Sequence, residues 1–315
     1  MANTFIKATK VVRTALGVLE RETVLPNLVW RDAGGDFAGA YGDTISLRVP
    51  AYTLARTRTL RAGTPITVDE LTETKVDVTL DTDVYKGINI TDENLTLDIV
   101  DFNDQVLGPI LRAVIAGVED ELADTITGAS YALTQDFSKT KPLDSVLTAR
   151  KKLNDCNVPT SGRVLAVGST VEQHILKALA DRGVASASSE NALNEATVSQ
   201  NFGGFRVVQS NALPPDEAFA FHRTAFVLSS KAPAVPEGAS WGASQSFGGF
   251  AIRVIKDYDP LYVRDRCIGN CWIGSSAVLD DGDINDDGQF VPEDGSGSGS
   301  PILVRAVKLA IPSGS

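Results

Sequence analysis

The chain is poor in the side chains that do chemistry. Histidine occurs twice in 315 residues, as His174 and His222, and neither falls in a metal-ligand spacing. His174 belongs to a helical stretch and His222 alternates with phenylalanines along a strand, so packing accounts for both. The three cysteines, Cys156, Cys267 and Cys271, are odd in number and too few for a disulfide framework. Cys267 and Cys271 form C-x₃-C, but zinc needs about four ligands and no second pair or nearby histidine completes the set. They read as small core residues of a strand. The G-x-S-x-G elbow, the P-loop and G-x-G-x-x-G are all missing. With no catalytic constellation, the expectation is a protein that is not an enzyme.

Long apolar runs are also missing. No segment approaches the roughly 18 apolar residues of a membrane span. The opening "MANTFIKATKVVRTALGVLERE" is amphipathic and broken by charges, without the apolar core and cleavage site of a signal peptide. These features point to a protein made in a cytoplasm, with no membrane partner. No internal repeat at solenoid periods is present.

Negative charge, by contrast, is in excess: 40 Asp and Glu against 29 Lys and Arg, a formal net charge of −11. Such a chain is a poor general binder of nucleic acid, although a local basic patch can still face it. One candidate patch lies on the first helix, where Val12, Leu16, Leu19 and Val24 line one face and Lys7, Lys10 and Arg13 make the start basic. Those three cations are candidates to face DNA or an acidic partner; the plainer reading is a solvated helix face.

After the glycine-rich connector "RDAGGDFAGAYGD", the pattern turns to alternation. "TISLRVPAYTLARTRTL" and "TETKVDVTLDTDVYKGINI" predict two long strands joined by the tip "RAGTPITVDE". Arg48, Arg56, Arg58 and Arg61 line one side of this arm, and Glu70, Glu73, Asp77, Asp81 and Asp83 the other. A lone two-stranded ribbon is barely stable in water, so an arm this long needs another surface. Leu107, Leu111, Val114, Val118, Leu122 and Ile126 then recur at helical spacing, with Pro109 in the first turn and Gly128 as a stop. From Pro142 to about Val235 helices and strands alternate, and "FAIRVIKDYDP" and "RDRCIGNCWIGSSAVL" predict further strands. An acidic loop, the linker "DGSGSGSP" and an apolar segment, "ILVRAVKLAI", close the chain.

The acidic loop "DINDDGQFVPED" fits the calcium-loop pattern except for its last ligand, an Asp in place of Glu. In that geometry Asp283, Asn285, Asp287, the Gln289 carbonyl and Asp294 are the metal ligands, and Gly288 makes the turn. The competing reading is a solvated loop of ordinary turn formers. No cofactor is required, and calcium is the one candidate ion.

The order of these elements resembles the major capsid (coat) proteins of tailed bacteriophages, built on the Hong Kong 97 fold. It is most similar to the coat-protein branch of Salmonella short-tailed phages. The stretches that carry the likeness are "TALGVLERETVLPNLVWRD", "GDTISLRVPAYTLART", "VLGPILRAVIAGVEDELADTITG", "LDSVLTARKKLNDCNVPTSGRVLAVGS", "FGGFRVVQSNALP", "FAFHRTAFVLSS" and "FAIRVIKDYDP". The resemblance implies an α+β chain with an N-terminal arm (1–43), an extended β loop (44–90), and a peripheral domain with a spine helix (91–142). An α/β axial domain (143–250), returning peripheral strands (251–279), and an acidic loop, linker and C-terminal segment (280–315) follow. It implies self-assembly as pentamers and hexamers into an icosahedral virion shell, formed in the bacterial host cytoplasm. Double-stranded DNA would lie on the inner face, with scaffold and portal proteins as partners. An encapsulin-like cargo shell and a calcium-dependent surface binding protein are the alternatives. No crosslinking pair transfers, so Lys75 and Lys86 receive no covalent role.

Overall fold

The computed structural model describes residues 24–31, 44–49, 57–59, 63, 65–66, 68, 74–91, 102–180, 201–247, 250–262, 264–292 and 300–312. After a 3₁₀ turn at Leu25–Asn27, strands β1 (Thr44–Val49), β2 (Thr74–Thr79) and β3 (Thr82–Thr91) lead to helix α1 (Gly108–Gly128). β4 (Tyr131–Asp136), α2 (Pro142–Asp155), β5 (Arg163–Val167), α3 (Ser169–Ala180) and β6 (Arg206–Gln209) follow. The rest is strand: β7 (Glu217–His222), β8 (Phe226–Lys231), β9 (Trp241–Phe247), β10 (Phe250–Asp259), β11 (Arg264–Ala277), β12 (Asp280–Ile284), β13 (Phe290–Pro292) and β14 (Ser300–Ala310). The class is α+β, as the sequence predicts.

Two compact units share the chain. The first comprises Met1–Ile45, Val78–Ile126 and Phe226–Ser276. Its five-stranded sheet runs β3-β11-β10-β9, with β8 also paired to β11. α1 forms where the i, i+4 apolar spacing placed it, and buries Ile110, Leu111, Val114, Ile115, Val118, Leu122 and Ile126. A single π turn over Asn103–Leu107 leads into it, and Pro109 occupies its first turn, where a missing N–H costs nothing. Gly117 explains itself by proximity: a Cβ there would stand 2.6 Å from Val84 Cγ1 of β3, so only glycine lets helix and sheet come this close.

The second unit comprises Ser46–Asp77, Thr127–Ala225 and Ala277–Ser315. Its seven-stranded sheet runs β13-β12-β14-β7-β5-β6, with β4 also on β14. α2 and α3 supply Val146, Ala149, Leu153, Val171 and Ile175 to a core shared with Leu165, Val167, Ala218, Ala220, Val307 and Leu309 of the sheet.

One sequence expectation changes. The second long strand of the arm is two strands, because the chain turns at Leu80–Asp81 and β3 joins the five-stranded sheet. Asp83 therefore lies on that sheet and not on the ribbon. "EAFAFHRTAFVLSS" is likewise two strands in two sheets, since Ala225 N bonds the His222 carbonyl at 2.7 Å and reverses the chain. The C-terminal apolar segment forms β14, an interior strand antiparallel to β7 and β12 and parallel to β4.

Candidate assembly surfaces

The β1–β2 ribbon is the first surface. Ser46 donates to the Asp77 carboxylate, the Thr44 and Thr79 hydroxyls meet at 3.0 Å, and Lys75 pairs with Asp77 at 3.1 Å. The Ser46 hydrogen bond, then Lys75, holds the Asp77 carboxyl below its ordinary pKa. Between the strands Ile66 and Val68 are 70% and 87% exposed, so the tip offers bare apolar side chains. Arg58 is exposed; Arg56, Arg61, Glu70 and Glu73 lie outside the described residues.

The five-stranded sheet supplies two more surfaces. At the β10–β11 turn, Tyr258, Leu261 and Tyr262 are exposed, with the Arg264 guanidinium 4.6 Å from the Tyr262 ring. The strands below are tied by Lys256–Asp265 at 2.7 Å and by Arg266 to Asp257 and Asp259 at 3.5 and 3.7 Å. Leu261 N also bonds the Asp259 carboxylate, so the tip is held in shape. On the sheet face turned away from α1, Asn270 donates to Asp83 at 3.0 Å and accepts from Arg253 Nε at 2.9 Å. Tyr85 and Trp272 stand exposed beside this network.

The candidate calcium loop is a β-hairpin. β12 and β13 pair Ile284 with Phe290, and Gly288 sits at φ +76°, the left-handed conformation such a turn demands. Asn285 N donates to the Gln289 carbonyl at 3.0 Å, and Gln289 N donates to Asn285 Oδ1 at 2.8 Å. Asp283 Oδ1 accepts from Ile284 N at 2.7 Å. Oxygens of three of the five named ligands are thus engaged within the hairpin itself, while Asp287 is exposed. Asp294 lies outside the described residues, as do Lys7, Lys10 and Arg13. Phe290 and Ile284 pack on the core of the second unit and anchor the hairpin.

His174 is half-buried on α3. His222 ends β7, with Nδ1 2.8 Å from Thr224 Oγ1. Burial, then Arg305, pushes its pKa below the ordinary value. Burial raises the Cys267 thiol to about 11 and Cys271 to about 12, so both are inert thiols of β11. Among the described residues no group of three or more His, Cys, Asp or Glu could hold a metal, and no helix is long and apolar enough to cross a membrane. Sequence reading passed over Tyr85, Trp272, Leu261 and Tyr262, because exposure of an aromatic depends on strand register and not on residue type.

Residues 72–268, more than half of the chain, match the family model described as phage capsid protein. None of the curated proteins matches the chain in sequence. Among solved structures, the chain is similar to a protein of Mycobacterium phage Che8, with TM-score 0.64 and 19% identity over 91% of each chain. It is also similar to the capsid of cyanophage P-SCSP1u, with TM-score 0.60 and 12% identity over 99% of this chain and 91% of that one. A virus-like particle from Pyrococcus furiosus aligns with TM-score 0.53 and 10% identity over 96% of this chain and 98% of that one.

Proposed function

From the premise that this chain belongs to the phage capsid protein family and has the Hong Kong 97 fold, we propose that it is the major capsid protein of a tailed phage. Self-assembly into a virion shell follows from the family. The finer reading adds pentamers and hexamers, an icosahedral shell around double-stranded DNA, scaffold and portal partners, and assembly in the bacterial host cytoplasm. Placement in the coat-protein branch of Salmonella short-tailed phages, and the six-part division from N-terminal arm to C-terminal segment, belong to the same proposal. The observation that carries it is the family match over residues 72–268, set on a fold shared along nearly the whole chain. The role is structural, through long arms and bare surfaces that other copies cover. Electron microscopy of the purified protein tests it: closed shells with five- and six-fold capsomers are expected. A protein that stays monomeric at high concentration would sink the reading.

An encapsulin-like cargo shell is the second reading, favoured by the likeness to the Pyrococcus furiosus virus-like particle. Nuclease-protected double-stranded DNA inside particles from infected cells selects the phage shell; a packaged enzyme selects the cargo shell.

Two site proposals accompany the shell. Lys7, Lys10 and Arg13 face the interior, and reversing their charge lowers genome retention or scaffold-dependent assembly. Calcium at Asp283, Asn285, Asp287, Gln289 and Asp294 binds weakly, since it must compete with the Asn285–Gln289 bonds. Calorimetry with wild-type particles and an Asp283→Ala, Asp287→Ala double variant decides it. Equal heats leave an ordinary hairpin, and the shell reading does not depend on the result.

A further inference from the structure

The last strand of the chain sits in the middle of its sheet. At Val307–Ala310, β14 is flanked on both sides, by β7 running antiparallel and by β4 running parallel. Its first residues, Ser300–Ile302, pair with β12. Among the described residues β4 pairs with no strand but β14, and β12 pairs only with β13 and β14. Without β14 the seven-stranded sheet therefore falls into three pieces: β7-β5-β6, the β12–β13 hairpin and a lone β4.

The place that β14 fills is apolar on both faces and charged at two points. Leu303, Val304, Ala306, Val307 and Leu309 are all buried. Val307 and Leu309 pack in the core with residues of α2 and α3, while Ala306 lies opposite the buried Phe221 on the other face. Two cations fix the register. Arg305 reaches both carboxylate oxygens of Asp280 on β12, by Nε at 2.7 Å and by Nη2. Lys308 Nζ pairs with Glu217 on β7 at 2.7 Å. At the strand's end Phe137 N donates to the Ala310 carbonyl at 2.8 Å, and Ile311 N donates to the Asp216 carbonyl at 3.0 Å. A slip of one residue would exchange the two faces and part both ion pairs. The covalent link from β13 to β14 is residues 293–299, a Gly/Ser run after Glu293 and Asp294.

We infer that the second unit is a strand slot, filled last by the C-terminal segment and able to take that strand from a separate chain. The ligand it recognises is an extended peptide with apolar residues on both faces and cations three positions apart, as Arg305 and Lys308 are. Chains are made N-terminus first, so β5, β6, β7, α2 and α3 exist before β14 does. They pair and pack among themselves, which lets them wait as an open sheet. In refolding of a whole chain the order is the same, because β14 lies farther in sequence from β4 and β7 than β5 lies from β6 and β7. β4 and the β12–β13 hairpin have no strand of this sheet to pair with until β14 arrives. Main-chain bonds then hold the strand, and its side chains select it. The slot concerns the subunit alone and holds whatever the subunit assembles into.

Cutting the link in the full chain tests the slot. A site for a sequence-specific protease in place of Gly295–Ser298 allows the folded protein to be cleaved between β13 and β14. The released segment, residues 300–315, should stay with the rest of the chain through size exclusion. After denaturation the cut chain should refold at a rate that rises with the concentration of added 300–315 peptide, whereas the uncut chain refolds at a rate independent of concentration. A peptide carrying Arg305→Glu and Lys308→Glu should bind at least about tenfold more weakly, since both of its ion pairs are reversed. Pulse-labelling hydrogen exchange on the unaltered chain needs no variant: amides of β4, β12 and β14 should gain protection together, and after those of β5 and β7. A segment that leaves the cut protein, a cut chain that refolds equally well without the peptide or not at all with it, or β4 protected before β14, overturns the inference.

Discussion

Gly117 shows how one residue can fix the distance between two elements. In an exposed helix interior, Gly→Ala stabilises by roughly 1 kcal/mol through propensity. Here the new methyl would stand 2.6 Å from Val84 Cγ1, a β-branched side chain with little freedom to move. Overpacking of this kind costs about 1–3 kcal/mol. Gly117→Ala is therefore expected to lower stability, and Val84→Ala in the same chain to restore part of the loss. A double-mutant cycle on thermal unfolding measures the coupling; additive effects would remove the contact from the account. His222 gives a second residue-scale prediction. Its Nδ1 accepts from the Thr224 hydroxyl, which in turn accepts from Arg305 Nη1 at 3.2 Å, so the ring is held neutral. Burial, Arg305, Arg163 and Arg223 depress its pKa, against a raising backbone bond to Ser161. The unfolded chain then takes up the proton first. Stability contributed by the neutral ring is present above the ordinary value of 6.5 and is lost as pH falls below it toward the folded value. The midpoint of thermal unfolding should drop as pH falls below about 6.5, and His222→Asn should flatten that slope.

At the scale of elements, legibility followed locality. α1 was readable because its apolar residues repeat at i, i+4 and its boundaries carry a proline and a glycine. The breaks at Leu80–Asp81 and at Arg223–Ala225 were not, because neither holds a glycine or proline to mark a turn. β4 and β9 were missed for a related reason: "YALTQD" is short and "WGASQSF" is small and polar, and each is a strand by virtue of its neighbour. β14 was legible only as an apolar segment, because two of its three partner strands, β7 and β4, lie far back in the chain, beyond any local signal. The candidate loop at 283–294 was legible in composition and ambiguous in geometry, since Asn and Gly serve a hairpin as well as an ion. The ribbon was legible as an arm, and it carries the element-scale prediction. Replacing Leu60 through Ile66 by a short glycine turn removes tip side chains that include the exposed Ile66. Thermal unfolding of the subunit should be unchanged, and shells should be weaker or absent. Shells of undiminished stability would mean that the tip touches nothing of consequence.

The molecule as a whole has to reconcile self-assembly with its charge. Each copy carries a formal charge of −11, so bringing many together stores repulsion that grows with every subunit added. The attractive surfaces identified on it are largely apolar: Ile66 and Val68 on the ribbon, Leu261 and Tyr262 at the β10–β11 turn, and Tyr85 with Trp272 beside β3. Salt screens the first term and leaves the second nearly untouched, because the Debye length falls from about 30 Å at 0.01 M to about 8 Å at 0.15 M. The concentration at which shells appear should therefore fall as ionic strength rises over that range, measured by light scattering on purified subunits. Contacts dominated by opposite charges would give the reverse, with salt pushing subunits apart. That outcome would shift the attraction from the bare apolar surfaces to charges such as Lys75, Arg58 and Asp81, and the three surfaces described above would be bystanders of assembly.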